Sequence, residues 1–118
     1  MKRDLDLVRK ILEKLEDEQE KLINNLEIEN YSNYEIMYHF IIMDEAGLIR
    51  CERESTPDRV IKVYPFGLTW QGHEFLEAAR NDSIWEKAKN ISKSRIGTMP
   101  FDVIKALLIS IAKAKVGL

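Results

Sequence analysis

The sequence has a single cysteine, Cys51, so no disulfide can form within the chain, and this cysteine usage fits a reducing compartment. It has no long hydrophobic run. The longest apolar stretch, residues 106–112, is bounded by Lys105 and Lys113 and is far too short to span a bilayer. The charged opening Met1-Lys2-Arg3-Asp4 lacks the apolar run and small-residue cleavage site of a secretory signal, so the expected location is the cytoplasm. No glycine-rich phosphate loop is present, which excludes the usual nucleotide cofactors. His39, His73 and Cys51 are the only soft ligands. They lack pairings such as C-x-x-C or H-x-x-x-H, so no metal is expected. No nucleophile motif or paired carboxylate accompanies His73-Glu74, and the chain does not read as an enzyme.

What is present is an ordinary globular composition. The 118 residues are 45% hydrophobic and 32% charged, enough to bury one core. The net charge of −2 hides an asymmetry. From Glu86 onward seven Lys and Arg face two acidic residues, a net of +5, which leaves −7 on the rest. Such a division either marks a surface for nucleic acid or an acidic partner, or is the solvated face of terminal helices.

The hydrophobic spacing predicts a first helix over residues 4–18, with Leu5, Val8, Leu12 and Leu15 on one face. Leu26 and Ile28 alternate with Glu27 and Glu29, as in a short strand. Ser32 and Glu35 form an S-x-x-E capping box for a second helix, with Tyr31 and Ile36 as its hydrophobic staple. Gly47 can close that helix in the left-handed conformation, with Leu48 packing back on Met43. A hairpin follows: a strand over residues 48–53, a turn at Ser55-Thr56-Pro57-Asp58, and a return over residues 60–64 that Pro65 and Gly67 end. Thr69 caps a third helix carrying Trp70, Phe75, Leu76 and Ala79. Ser83 and Glu86 suggest a second capping box, for a helix ending near Ile96-Gly97. Pro100 opens a last helix with an apolar stripe through Phe101, Ile104, Leu108 and Ile111.

The fold class is therefore mainly α with a small β-hairpin. Met43-Asp44-Glu45-Ala46-Gly47-Leu48-Ile49 and Leu68-Thr69-Trp70-Gln71-Gly72-His73-Glu74-Phe75-Leu76 resemble the L-x-x-A-G-L-I and L-T-x-x-G-x-x-F-L signatures of bacterial winged-helix regulators. The resemblance implies a winged-helix-like core over residues 1–80, with its wing at 48–64. Residues 81–118 would then be a C-terminal helical extension packed on that core or on a dimer mate. A closer resemblance covers nearly the whole chain. The opening residues 1–12, the Tyr31-Ser32, His39 and Ala46-Gly47-Leu48-Ile49 positions, Leu68-Thr69-Trp70-x-Gly72-His73-Glu74-Phe75-Leu76 with Ile84-Trp85, and Pro100-Phe101-x-Val103-Ile104-Lys105 are similar to a domain-of-unknown-function family of short bacterial and prophage proteins. It implies a phage-related origin and carries over no catalytic or binding residue. In one respect the chain departs from a standard helix-turn-helix: only one helix, residues 31–46, precedes the wing where two are usual.

Two functions follow as expectations. In the first, nucleic-acid binding or transcriptional regulation, Asn33, Tyr34 and Tyr38 would face DNA, and Arg50, Arg53, Arg59 and Lys62 would supply phosphate contacts. Against it, residues 33–46 contain no Lys or Arg. In the second, the winged helix is a protein-interaction scaffold, or the Phe101, Ile104, Leu108 and Ile111 stripe joins two copies into a homodimer.

Overall fold

The computed structural model describes residues 2–17, 26–92, 99–115 and 117. The elements run α1 (Leu5–Asp17), α2 (Asn33–Glu45), β1 (Ile49–Ser55), β2 (Val60–Leu68), α3 (Trp70–Ala79), α4 (Asp82–Ser92) and α5 (Phe101–Lys115). The chain is mainly α with one antiparallel hairpin. The predicted end of the first helix at residue 18 and the Ile96-Gly97 stop lie outside the described residues.

Helix α1 is the centre of the packing. Leu5, Leu7, Val8, Ile11, Leu12 and Leu15 are all buried, a wider apolar face than the predicted stripe, because the helix meets α2, α3 and β2 at once. Asp4 starts it, its Oδ1 accepting from the Leu7 N–H at 3.1 Å. The Asp4 Oδ2 accepts from the Tyr31 hydroxyl at 3.0 Å, which ties the segment before α2 to the head of α1.

Helix α2 begins at the capping box read from Ser32 and Glu35, with both reciprocal bonds formed at 3.1 Å. It ends at Gly47, φ 76°, where the Leu48 N–H donates to the Met43 carbonyl at 2.9 Å and the Gly47 N–H to the Asp44 carbonyl at 3.0 Å. That bond pair is a Schellman ending. The strand expected at Leu26 and Ile28 does not form. Ile28 is buried, but its carbonyl closes a turn onto the Tyr31 N–H at 3.2 Å, helped by Asn30 at φ 73°. Its alternation records burial without a partner strand to pair with.

The hairpin is longer on its return than predicted. Pro65 and Gly67 do not end β2, which runs on to Leu68. A register shift absorbs them: Arg50 pairs with Gly67 and Cys51 with Pro65, leaving Phe66 without a partner. Proline lacks an amide donor, so a bulge in a two-stranded sheet is where it can sit.

The return of β2 into α3 locks onto the end of α2. The Thr69 N–H donates to the Leu48 carbonyl at 3.0 Å, the Thr69 hydroxyl donates to the Gly47 carbonyl, and the Thr69 Oγ1 accepts from the Gly72 N–H at 3.1 Å. A Cβ on Gly72 would stand 2.0 Å from the Leu48 carbonyl oxygen. Glycine is required there because the helix touches a backbone group that is already fixed.

Helix α4 is capped by Asn81, whose Oδ1 accepts from the Ile84 N–H at 3.0 Å, and not by Ser83 as the Ser83/Glu86 spacing suggested. The helix starts two residues earlier than that spacing implies, at Asp82, which puts Ser83 inside the first turn. Trp85 and Ala88 of α4 and Ile104, Leu108 and Ile111 of α5 join the same buried cluster as α1. Phe101 meets Phe75 edge-on at 5.4 Å, and the Arg3 guanidinium donates to the Met99 carbonyl at 2.6 Å.

Two expectations follow. Gly72→Ala should destabilise by about 3 kcal/mol or more, at or above the top of the overpacking range, because its obstacle is backbone. Gly47→Ala, with open space around its Cβ, should cost only about 1 kcal/mol of left-handed strain. Urea unfolding of the two variants measures the difference; equal losses would contradict the placement of Gly72.

Candidate functional site

The residues expected to face DNA do not converge. Cys51 and Arg53 lie on the face of β1 turned to α2, since the Cys51 thiol donates to the Phe40 carbonyl at 3.8 Å and Arg53 pairs with Asp44 at 2.9 Å. That ion pair spends the Arg53 charge on α2. Arg50, three positions earlier, points the other way and lines a separate cleft with Glu16, Phe66 and His73. Lys62 lies over the Tyr64 ring at 5.1 Å and pairs in register with Glu54, which accepts the Tyr64 hydroxyl at 3.1 Å. Arg59 is exposed at the hairpin tip, where its N–H donates to the Thr56 hydroxyl at 3.2 Å. Asn33 and Tyr34 are exposed at the start of α2, Tyr34 at 68%, whereas Tyr38 is half-buried with its ring edge against His39 at 5.6 Å.

Between α2 and β2 runs a groove of about 280 Å³ whose walls are mainly apolar: Ile36, Met37, Phe40, Ile61 and Val63. Asn33 and Lys62 are its polar borders. Ile61 is 53% exposed, and the sequence reading passed over it. It sits between Val60 and Lys62 in a run without clean alternation, so nothing local marked it as a surface residue.

The titratable groups singled out in the sequence have structural partners. His39 is buried, with its Nε2 accepting from the Asp4 N–H at 2.9 Å and its Nδ1–H donating to the Glu35 carbonyl at 2.8 Å. Both ring nitrogens are thereby satisfied in the neutral form. Burial, with help from the Asp44 carboxylate, pushes the Cys51 thiol up to about 12, which makes it a poor nucleophile. Burial and the Asp4 hydrogen bond push the Tyr31 phenol up to about 12. Among the described residues, no group of three His, Cys, Asp or Glu is placed to hold a metal ion, and no helix is long and apolar enough to cross a membrane.

The C-terminal stripe faces inward. Ile104, Leu108 and Ile111 are buried within the chain and Phe101 is half-buried against Phe75. The large apolar side chains that α5 offers to solvent are Val103 and Ile109, and Ile109 borders a second cleft of about 450 Å³ with the 78%-exposed Trp70.

Asp6 joins α1 to α4. Its Oδ1 accepts from the Trp85 indole N–H at 2.7 Å and from Lys89 at 3.1 Å. Burial acts to raise the Asp6 carboxyl, but those two bonds and the Lys89 and Lys10 charges outweigh it and hold the carboxyl below its ordinary value. Glu16 is also held low, first by its hydrogen bonds from Arg80.

Groups whose pKa is lower in the fold than in the unfolded chain stabilise the fold above the unfolded value, near pH 4, and that stabilisation is lost as pH falls through the folded value. Denaturant midpoints should therefore drop on acidification below about pH 4, and Asp6→Asn should flatten the drop. An unchanged acid profile in Asp6→Asn would refute the role given to that carboxylate. Leu108→Glu, which buries a charge without a partner, should abolish cooperative thermal unfolding, while Ile109→Glu should leave it nearly unchanged. Circular dichroism melts of the pair are the check.

The profile of a family described as "Hypothetical protein (DUF2513)" matches residues 2–98. A protein of Haemophilus influenzae named "Uncharacterized protein" is 36% identical over 108 residues, covering 89% of this chain and 90% of that one. No solved structure matches the chain.

Proposed function

The chain belongs to the family described as Hypothetical protein (DUF2513), and from that premise we propose that it is a non-catalytic, cytoplasmic, winged-helix-like module whose α2–hairpin groove takes an apolar segment of another protein. The order α1, α2, hairpin, α3 supports a winged-helix reading, with residues 1–80 as the module and 81–118 as its helical extension. In that arrangement α2 is the reading helix and the hairpin is the wing.

One observation carries the choice of a protein over DNA: α2 holds no Lys or Arg, and the groove beside it is walled mainly by apolar side chains, with Lys62 at its border as its one cation. Phosphate neutralisation supplies most non-specific DNA affinity, and a reading helix without cations forgoes it. The wing compensates little, since Arg53 is paired with Asp44, Arg50 lies on the opposite face of the strand and Lys62 lies over Tyr64, which leaves Arg59 alone at the hairpin tip. Ile61 and Tyr34, both largely exposed, are the kind of side chains that a protein contact covers.

A salt-titrated mobility-shift assay with random duplex DNA tests the reading. Micromolar protein should leave the duplex unshifted even at low salt. Retardation that fades steeply as salt is added would return nucleic-acid binding to first place.

A further inference from the structure

We propose that the cleft between the end of α1, the base of the hairpin and α3 binds a small molecule bearing a carboxylate or phosphate on an apolar body. This site is separate from the α2 groove and does not rest on the function proposed for it.

The cleft measures about 630 Å³. That is within the range of small-ligand pockets. Its walls come from four different elements, α1, β1, β2 and α3, so its shape is set by the packed fold and not by one loop.

Charge selects the ligand. Arg50 is exposed, and among the described residues its guanidinium makes no hydrogen bond or ion pair. Its partner across the ladder is Gly67, which has no side chain to meet it. The Glu16 carboxylate would repel an anion, but Arg80 holds both of its oxygens, at 3.0 and 2.8 Å. His73 contributes a ring from α3 that, among the described residues, has no hydrogen-bond partner. The cleft thus presents a planar fork of donors and an imidazole, with its one acidic group held by Arg80, which Glu77 shares at 2.8 Å.

The apolar half of the cleft is Leu15, Phe66 and Leu68. Phe66 is the residue that the register shift leaves without a partner. A bulge loses ladder bonds and re-aims side chains, and bulges are over-represented beside binding sites for that reason.

The test is a titration of the isotope-labelled full chain, followed by NMR, with benzoate, phenyl phosphate, inorganic phosphate and benzyl alcohol. Benzoate and phenyl phosphate should shift the Arg50 side-chain and His73 ring signals saturably at millimolar concentration, the affinity range of fragments. Which of the two binds tighter identifies the anion. Benzyl alcohol should not saturate. Arg50→Gln should weaken binding of both anions by about tenfold or more without altering thermal unfolding. Phe66→Ala should weaken phenyl phosphate and leave inorganic phosphate unchanged. Equal affinity for inorganic and phenyl phosphate would overturn the apolar half of the proposal. No saturable shift with either aromatic anion, or equal binding by Arg50→Gln, would overturn all of it.

Discussion

The carbonyl of Leu48 is the point on which the arrangement of the chain turns. It follows the residue that stops α2, it accepts the amide of the residue that caps α3, and the first turn of α3 rests against it at Gly72. Because its neighbour Gly47 receives the Thr69 hydroxyl, two consecutive peptide groups tie the start of β1 to the end of β2. The direction in which the hairpin leaves the helices is set there. So are both features that flank the hairpin, the apolar groove toward α2 and the polar cleft toward α1 and α3. Thr69 and Gly72 are needed for opposite reasons: one reaches the junction with a side chain, and the other must have none.

Around that junction, α1 works as the common floor. Its apolar face is covered by the other elements, and three acidic side chains at its head and along it are held by distant partners. Asp4 takes Tyr31, Asp6 takes Trp85 and Lys89, and Glu16 takes Arg80. The charge asymmetry of the sequence finds part of its use here. Cations of the basic C-terminal region meet carboxylates of the acidic remainder, as in Asp6 with Lys89 and Glu74 with Lys105. Division of charge along the chain is in this respect an internal complementarity between α4 or α5 and the helices they cover. Exposed pairs of this kind contribute little stability one at a time. They do orient the C-terminal helices, which the buried Trp85 and Leu108 then hold in place.

The candidate sites were unevenly legible. Arg50 and Arg53 are the same residue type three positions apart on one strand, and alternation alone separates them into different surroundings. Without knowing which face of the hairpin meets α2, both read as phosphate contacts. Phe101, Ile104, Leu108 and Ile111 show the same limit for helices, because a stripe with helical spacing states that a face must be covered but not by what. Here α5 packs on α3 and α4 of its own chain.

By itself the sequence determined where the helices around the hairpin begin and end. Ser32 with Glu35, Gly47 before Leu48, and Thr69 before Gly72 act within one turn of backbone, so neighbouring residues suffice to state them. Tertiary structure alone decided which surfaces remained open. It moved β2 past Pro65, left Ile28 buried without a strand, took Arg53 into an ion pair and left Arg50 facing a cleft. Each of those outcomes depends on groups brought together from elsewhere in the chain by packing, a distance that no local pattern of residues encodes.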